Sequence, residues 1–120
     1  MSKDIRDGNP PTLLLALSFL ARENVLSVEN FPLVYWNKLK TWYKWYFKTQ
    51  MSSPGSYIFR WHDSIVNEGS FNSGLDDFPR LGNSMGHVDC QSWMYFFANI
   101  MVEVSQSLEL SSEEYENDAI

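Results

Sequence analysis

This 120-residue chain is short of three things, and each shortage excludes something. It has one cysteine, Cys90. A disulfide framework or a multi-cysteine metal site cannot be built from a single thiol. It has no Lys or Arg after Arg80, although seven acids follow that point. All nine cations therefore lie in the first two thirds, where acids nearly balance them, and the net charge is −6. No basic stripe forms, so nucleic acid is not an expected partner. The third shortage is of long apolar runs. The best, Leu13–Ala21, is too short to span a membrane. As the apolar part of a signal peptide it is poorly flanked, with Asp4, Asp7 and Pro10-Pro11 ahead of it. A buried helix is the better reading.

What the chain does have is apolar and aromatic content, at 44% and 16% of residues. That is too much for a disordered chain. Asn9-Pro10-Pro11-Thr12 is a helix-start signal, because proline in a first turn lacks an N–H that would go unbonded anyway. A helix is expected over 12–22, apolar almost all round and so buried on most sides. Asn30-Phe31-Pro32 starts a second helix, over 33–50. Its apolar positions 35, 36, 39, 42, 43, 46 and 47 follow the helical period, and Lys38, Lys40, Lys44 and Lys48 take much of the opposite face. Trp36, Trp42 and Trp45 are expected to pack between helices. Asp89 suits the N-cap of a third helix over 90–108, with Trp93, Phe96, Phe97, Ile100, Met101, Val104 and Leu108 as its stripe. Residues 109–120 carry five acids and read as a polar linker or the start of another capped helix.

Between the second and third helices, residues 51–89 show little helical period. Ser53-Pro54-Gly55-Ser56 is a turn, and Tyr57–Trp61 a short strand or extended segment. A connection this long in a compact domain is functional or disordered, and its load of Tyr, Phe, Trp, His and Asp argues against disorder. Within it, Ser73-Gly-Leu-Asp-Asp-Phe-Pro-Arg80 sets two carboxylates between a Gly and a Pro, among aromatics. Gly and Pro this close block regular structure, so Asp76 and Asp77 are expected on a constrained turn. Carboxylates held on a loop and ringed by aromatics suit a sugar-cleaving site: the acid must be fixed at the glycosidic oxygen, and sugar rings stack their C–H faces on aromatic planes. Arg80 would pair with a carboxylate or bind sugar hydroxyls. Phe59, Arg60 and Trp61 are candidate walls of a sugar pocket, with packing as the competing role for Trp61. His87 has no second ligand cluster near it in sequence to make a metal site, and Cys90 opens an apolar helix rather than pairing with His87 as a nucleophile. Three helices and one elaborate loop make a poor independent domain, so the chain reads as a piece of a larger helical assembly.

Taken in order, Asn9-Pro10-Pro11-Thr12-Leu13, Tyr57–Trp61, Ser73–Arg80 and His87-Val88-Asp89 with Trp93 resemble the eukaryotic processing α-glucosidases I, the mannosyl-oligosaccharide glucosidases of glycoside hydrolase family 63. The resemblance covers most of residues 5–108, and the Ser73–Arg80 segment is its specific part. It implies an all-α fold, a partial (α/α)6 barrel of about three helices plus a long active-site loop. Residues 1–108 would then be part of the catalytic domain and 109–120 an acidic tail. It implies hydrolysis of the terminal α-1,2-linked glucose of the N-glycan precursor with inversion, no cofactor and no metal. The substrate would be a glucosylated oligosaccharide, met in the lumen of the endoplasmic reticulum by full-length members that are membrane-anchored.

By residue, the resemblance makes Asp76 the general acid. It makes His87, Asp89 and Trp93 bracing groups. Beside them Phe59, Arg60, Trp61, Asp77 and Arg80 stand as candidate substrate contacts, with bracing of the loop the competing and slightly favoured role for Asp77. Two departures stand out. The family's general base lies much further toward the C-terminus than any acid of this chain, and the spacing from Arg80 to His87 is shorter than usual. Little hydrolysis is therefore expected of residues 1–120 alone. A non-catalytic carbohydrate-binding or interaction fragment of the same fold is the competing reading. A barrel hydrolase for another α-linked sugar is a third.

Overall fold

The computed structural model describes residues 8–23, 25–26, 29–62 and 86–119. The described residues form four helices: α1 (Leu13–Arg22), α2 (Leu33–Thr49), α3 (Val88–Ser107) and α4 (Glu113–Asp118). Among them the only strand-like pairing is a single antiparallel bridge between Met51 and Phe59. The expected all-α class is the observed one, with all three predicted helices present within a residue or two. The chain divides into two compact units. One holds residues 1–10 and 44–94, the other residues 11–43 and 95–120, so α2 and α3 each contribute to both.

The second unit is built on rings. Tyr43 packs edge-on against Phe97 at 5.1 Å and Tyr115 at 5.3 Å, and Phe97 also meets Trp42 at 5.2 Å. Trp36 reaches Tyr115 at 6.0 Å. Each such pair adds roughly 0.5–1.5 kcal/mol beyond the area it buries. Ile100, Met101, Val104 and Leu108 continue the buried stripe along α3 at helical spacing. The Tyr43 hydroxyl donates to Asp118 Oδ2 at 2.7 Å, tying α4 to α2. Burial first, then the Asp118 bond and charge, push the Tyr43 hydroxyl far above its ordinary range, so it stays a donor. Tyr115 is pushed up to about 12, again chiefly by burial. The polar stretch after α3 thus holds a short helix with one buried ring.

Two expectations are corrected here. Helix α1 is not buried on most sides. Only Leu14, Ser18 and Ala21 form its buried stripe, at positions i, i+4 and i+7, while Leu13, Leu15 and Phe19 are 62%, 57% and 63% exposed. One stripe of a ten-residue helix meets neighbours, and the remaining leucines face outward. Asp89 is not an N-cap. The helix begins at Val88, with the His87 carbonyl accepting the Gln91 N–H at 2.9 Å, so the cap position falls to His87 and Asp89 lies in the first turn.

The end of α3 carries a strained residue. Leu110 N–H bonds Ser105 O at 2.8 Å and Glu109 N–H bonds Gln106 O at 3.1 Å, the paired bonds of a Schellman cap. The residue between them must be left-handed, and Glu109 has φ 59°. Glycine adopts this conformation without the side-chain penalty. Glu109→Gly is expected to stabilise the chain by about 0.5–1 kcal/mol. A urea midpoint that stays put or falls would contradict this account of the cap.

Candidate functional site

The predicted site residues within the described chain gather in the first unit. Helix α2 ends at Thr49, and Gln50 turns the chain into a short hairpin-like excursion. Ser52 N–H bonds Ile58 O at 2.7 Å and Arg60 N–H bonds Gln50 O at 2.8 Å. The turn between them is the expected one: Ser56 N–H returns to Ser53 O at 3.1 Å, with Pro54 second and Gly55 third at φ 77°. Pro followed by a positive-φ Gly is the signature of a type II turn. Phe47 packs its ring against Phe59 at 5.1 Å and Tyr57 at 5.9 Å, so the returning segment lies on α2.

Tyr57 is left-handed, at φ 55°, so the expected extended segment does not include it. The chain from Tyr57 to Trp61 is bonded on its other side to the start of α3. His87 N–H donates to Phe59 O at 2.9 Å. Trp61 N–H donates to His87 Nδ1 at 3.1 Å, and the Trp61 indole N–H donates to Asp89 Oδ2 at 2.9 Å. Phe59 N–H donates to Gln91 Oε1, and Gln91 Nε2 donates to Tyr57 O, both at 3.0 Å. Five bonds thus join the chain before residue 63 to the chain after residue 85. Gly86 permits the approach: a Cβ there would stand 2.8 Å from Ile58 Cγ2.

Trp61 is 1% exposed, Phe59 2% exposed, and His87 is buried beside them. Because His87 Nδ1 accepts the Trp61 peptide proton, the neutral ring carries its own proton on Nε2. Arg60 is half-buried between Phe59 and Trp61 in sequence, and Asp89 and Trp93 are half-buried on α3. The structure therefore brings Phe59, Trp61, His87 and Asp89 into one hydrogen-bonded frame. Asp76, Asp77 and Arg80 lie outside the described residues. Burial, with the Asp89 charge second, holds the Cys90 thiol well above its ordinary range, so it has no thiolate character at neutral pH. Among the described residues no three His, Cys, Asp or Glu lie close enough together to hold a metal ion. No described helix is long and apolar enough to cross a membrane.

Two members of the frame were not foreseen. Gln50 is fully buried, and its Oε1 accepts the His62 N–H at 2.7 Å while its Nε2 donates to Thr49 Oγ1 at 3.0 Å. The signal was available: position 50 continues the apolar stripe 39, 43, 46 of α2, and a polar group there must be buried and bonded. Gln91 left no such signal, because its role depends on where Tyr57 and Phe59 come to lie.

The described residues define an all-helical class of protein, with the chain on either side of residues 63–85 bonded into one frame. Residues 2–119 match the glycosyl hydrolase family 63 C-terminal domain, and the chain belongs to that family. It is 33% identical over 120 residues to Alpha-glucosidase 2 of Arabidopsis thaliana, covering 83% of this chain and 15% of that protein. It is 32% identical over 133 residues to Mannosyl-oligosaccharide glucosidase GCS1 of the same organism, covering 91% of this chain and 15% of that protein. The chain therefore spans about 15% of the length of these relatives. No solved structure matches it.

The His87 bond can be tested by size-matched replacement. His87→Phe keeps a ring but leaves the buried Trp61 N–H without its acceptor, and an unsatisfied buried donor costs about 1–3 kcal/mol. His87→Asn places a carbonyl oxygen near the Nδ1 position and is expected to recover part of that loss. Equal destabilisation of the two variants in urea melts would show that ring packing, not the acceptor, is what matters.

Proposed function

We propose that this chain is part of a family 63 catalytic domain that hydrolyses the terminal α-1,2-linked glucose of the N-glycan precursor, in the lumen of the endoplasmic reticulum. The observation that carries the reading is the family match over residues 2–119, joined to the Ser73–Arg80 segment within it. The relatives' names, a glucosidase and a mannosyl-oligosaccharide glucosidase, support the choice of reaction.

In this reading Asp76 is the general acid. Its proton passes to the glycosidic oxygen as the bond from that oxygen to the anomeric carbon breaks. A second carboxylate, contributed by another part of the domain, takes a proton from water as the water oxygen attacks the opposite face of the sugar. Inversion needs the two carboxyl groups about 6.5–9.5 Å apart, to leave room for that water. Asp77 adjoins Asp76 and cannot meet that requirement. To hold its proton at neutral pH, Asp76 must be raised well above the free aspartate value of about 3.9, by burial among rings or by a nearby like charge. Asp77 and Arg80 contact sugar hydroxyls or brace the turn. Phe59, Arg60 and Trp61 lead into the segment from one side. His87, Asp89 and Trp93 hold it from the other.

The test places residues 2–119 in a matched relative, in place of its own aligned segment. The chimera is expected to release glucose from a triglucosylated oligosaccharide. Asp76→Asn in that chimera should lower kcat by about 10²–10⁴, with KM little changed, because the amide keeps the shape and loses the proton. Near-normal turnover of the variant would remove Asp76 from the acid role. The isolated 120-residue chain is expected to show no robust glucose release.

A further inference from the structure

We propose that the Tyr57 ring is a stacking platform for a pyranose ring of the bound oligosaccharide. The proposal rests on the glucosidase reading for the class of its ligand. Phe59 and Trp61, expected as pocket walls, are enclosed in the frame, and an enclosed ring offers no face to a sugar. Tyr57 lies just ahead of them in the chain and is 49% exposed. Its ring meets Phe47 edge-on, at 5.9 Å and 80° between planes. In such a T-shaped pair each ring covers at most one face of the other, so Phe47 leaves Tyr57 a face it does not cover. A sugar lays its C–H bonds on such a face. The phenol hydroxyl at the end of the ring can both donate to and accept from sugar hydroxyls.

The backbone marks the same position. At φ 55° Tyr57 is left-handed, which is rare for a bulky residue. Gly55 in the preceding turn is left-handed too, and there the sequence uses glycine. At 57 it keeps an aromatic side chain where glycine would sit without penalty. The surroundings hold the strained residue in place. Gln91 Nε2 donates to the Tyr57 carbonyl at 3.0 Å, the Ile58 N–H donates to Ser56 Oγ at 3.3 Å, and Ser52 N–H donates to Ile58 O at 2.7 Å. Strain that neighbours enforce in this way gathers at ligand clamps. It also sets the ring before a ligand arrives, which lowers the cost of binding. The side chains that bond the backbone around the ring, Gln91 and Ser56, are polar. A ring among amide and hydroxyl groups suits a ligand with apolar faces and polar edges, and a pyranose is one. The competing role is packing on Phe47, which requires that removing the ring cost stability.

The experiment titrates a triglucosylated oligosaccharide into the purified 120-residue chain and follows saturation transfer to the sugar protons by NMR, which detects weak binding. Tyr57→Gly is expected to raise the dissociation constant about fivefold or more, the worth of one ring contact. Its urea midpoint should hold or rise, because glycine adopts φ 55° without strain. Tyr57→Phe keeps the ring and should keep most of the binding. Tyr35→Ala removes a ring that is 54% exposed on α2, and should stay within about twofold of the unaltered chain. The proposal is overturned by any of five results: no transfer to the oligosaccharide, unchanged binding in Tyr57→Gly, a loss in Tyr57→Phe as large as in Tyr57→Gly, an equal loss in Tyr35→Ala, or a lowered urea midpoint in Tyr57→Gly. The last would make the ring a packing group. An active chimera whose oligosaccharide binding ignores Tyr57 would sink this contact alone. A chimera that releases no glucose, beside Tyr57-dependent binding, would sink the hydrolysis alone.

Discussion

The Trp61 residue is held twice by the start of α3, once through its peptide N–H to His87 and once through its indole N–H to Asp89. These contacts span 26 and 28 residues of chain. Closing a loop of that length costs entropy that grows only slowly with the number of residues inside it. What fixes the closure is therefore the quality of the bonds at its base, not the length of what lies between. The peptide bond to His87 is buried, so breaking it would strand a donor away from water, whereas the indole bond to Asp89 is part-buried. Gln50 and Gln91 also use side-chain amides to bond backbone groups of residues 57–62. The segment has only one ladder bridge of its own, and side chains complete what a sheet would otherwise supply.

This arrangement explains why the aromatic residues divide into two kinds. Phe59 and Trp61 are consumed by the frame, and their rings are enclosed in it. In the second unit Trp36, Tyr43, Phe97 and Tyr115 make a contiguous edge-to-face cluster. The high aromatic content thus serves packing first in the described chain. Any sugar-stacking ring must be sought elsewhere or must work through the frame.

Helix positions were readable because the period of apolar residues in 33–50 and 90–108 is strong, and because Pro11 and Pro32 punctuate the starts. The type II turn at 53–56 was readable from Pro54-Gly55. The depth of α1 was not. A leucine-rich helix looks buried from sequence, but burial depends on how many neighbours arrive, and only one stripe finds them. Asp89 was misplaced by two residues for a similar reason: its carboxylate satisfies a cap from sequence alone, yet the indole of Trp61, distant in sequence, claims it. Phe59 and Trp61 were expected as pocket walls and His87 and Asp89 as bracing groups, and these four residues meet in the frame. Gln91 was not foreseen, because nothing local marks a residue whose partners lie 32 and 34 positions away.

The family assignment and the frame bear on each other through geometry. General acid catalysis demands that a proton donor sit within hydrogen-bond reach of the leaving oxygen, and a displacement of about 1 Å can cost about 10²-fold in rate. On the proposed reading the donor belongs to a connection between helices. Its position is set by the points where that connection is tied down. The bonds among Phe59, Trp61, His87, Asp89 and Gln91 are such points, on both sides of the stretch that carries Asp76. Directional bonds at both ends of a helix-to-helix connection restrict where a carboxylate on it can sit. On the proposed reading, in which Asp76 is the acid, substitutions in the frame would lower kcat in the assembled domain through placement of the acid, not through its proton.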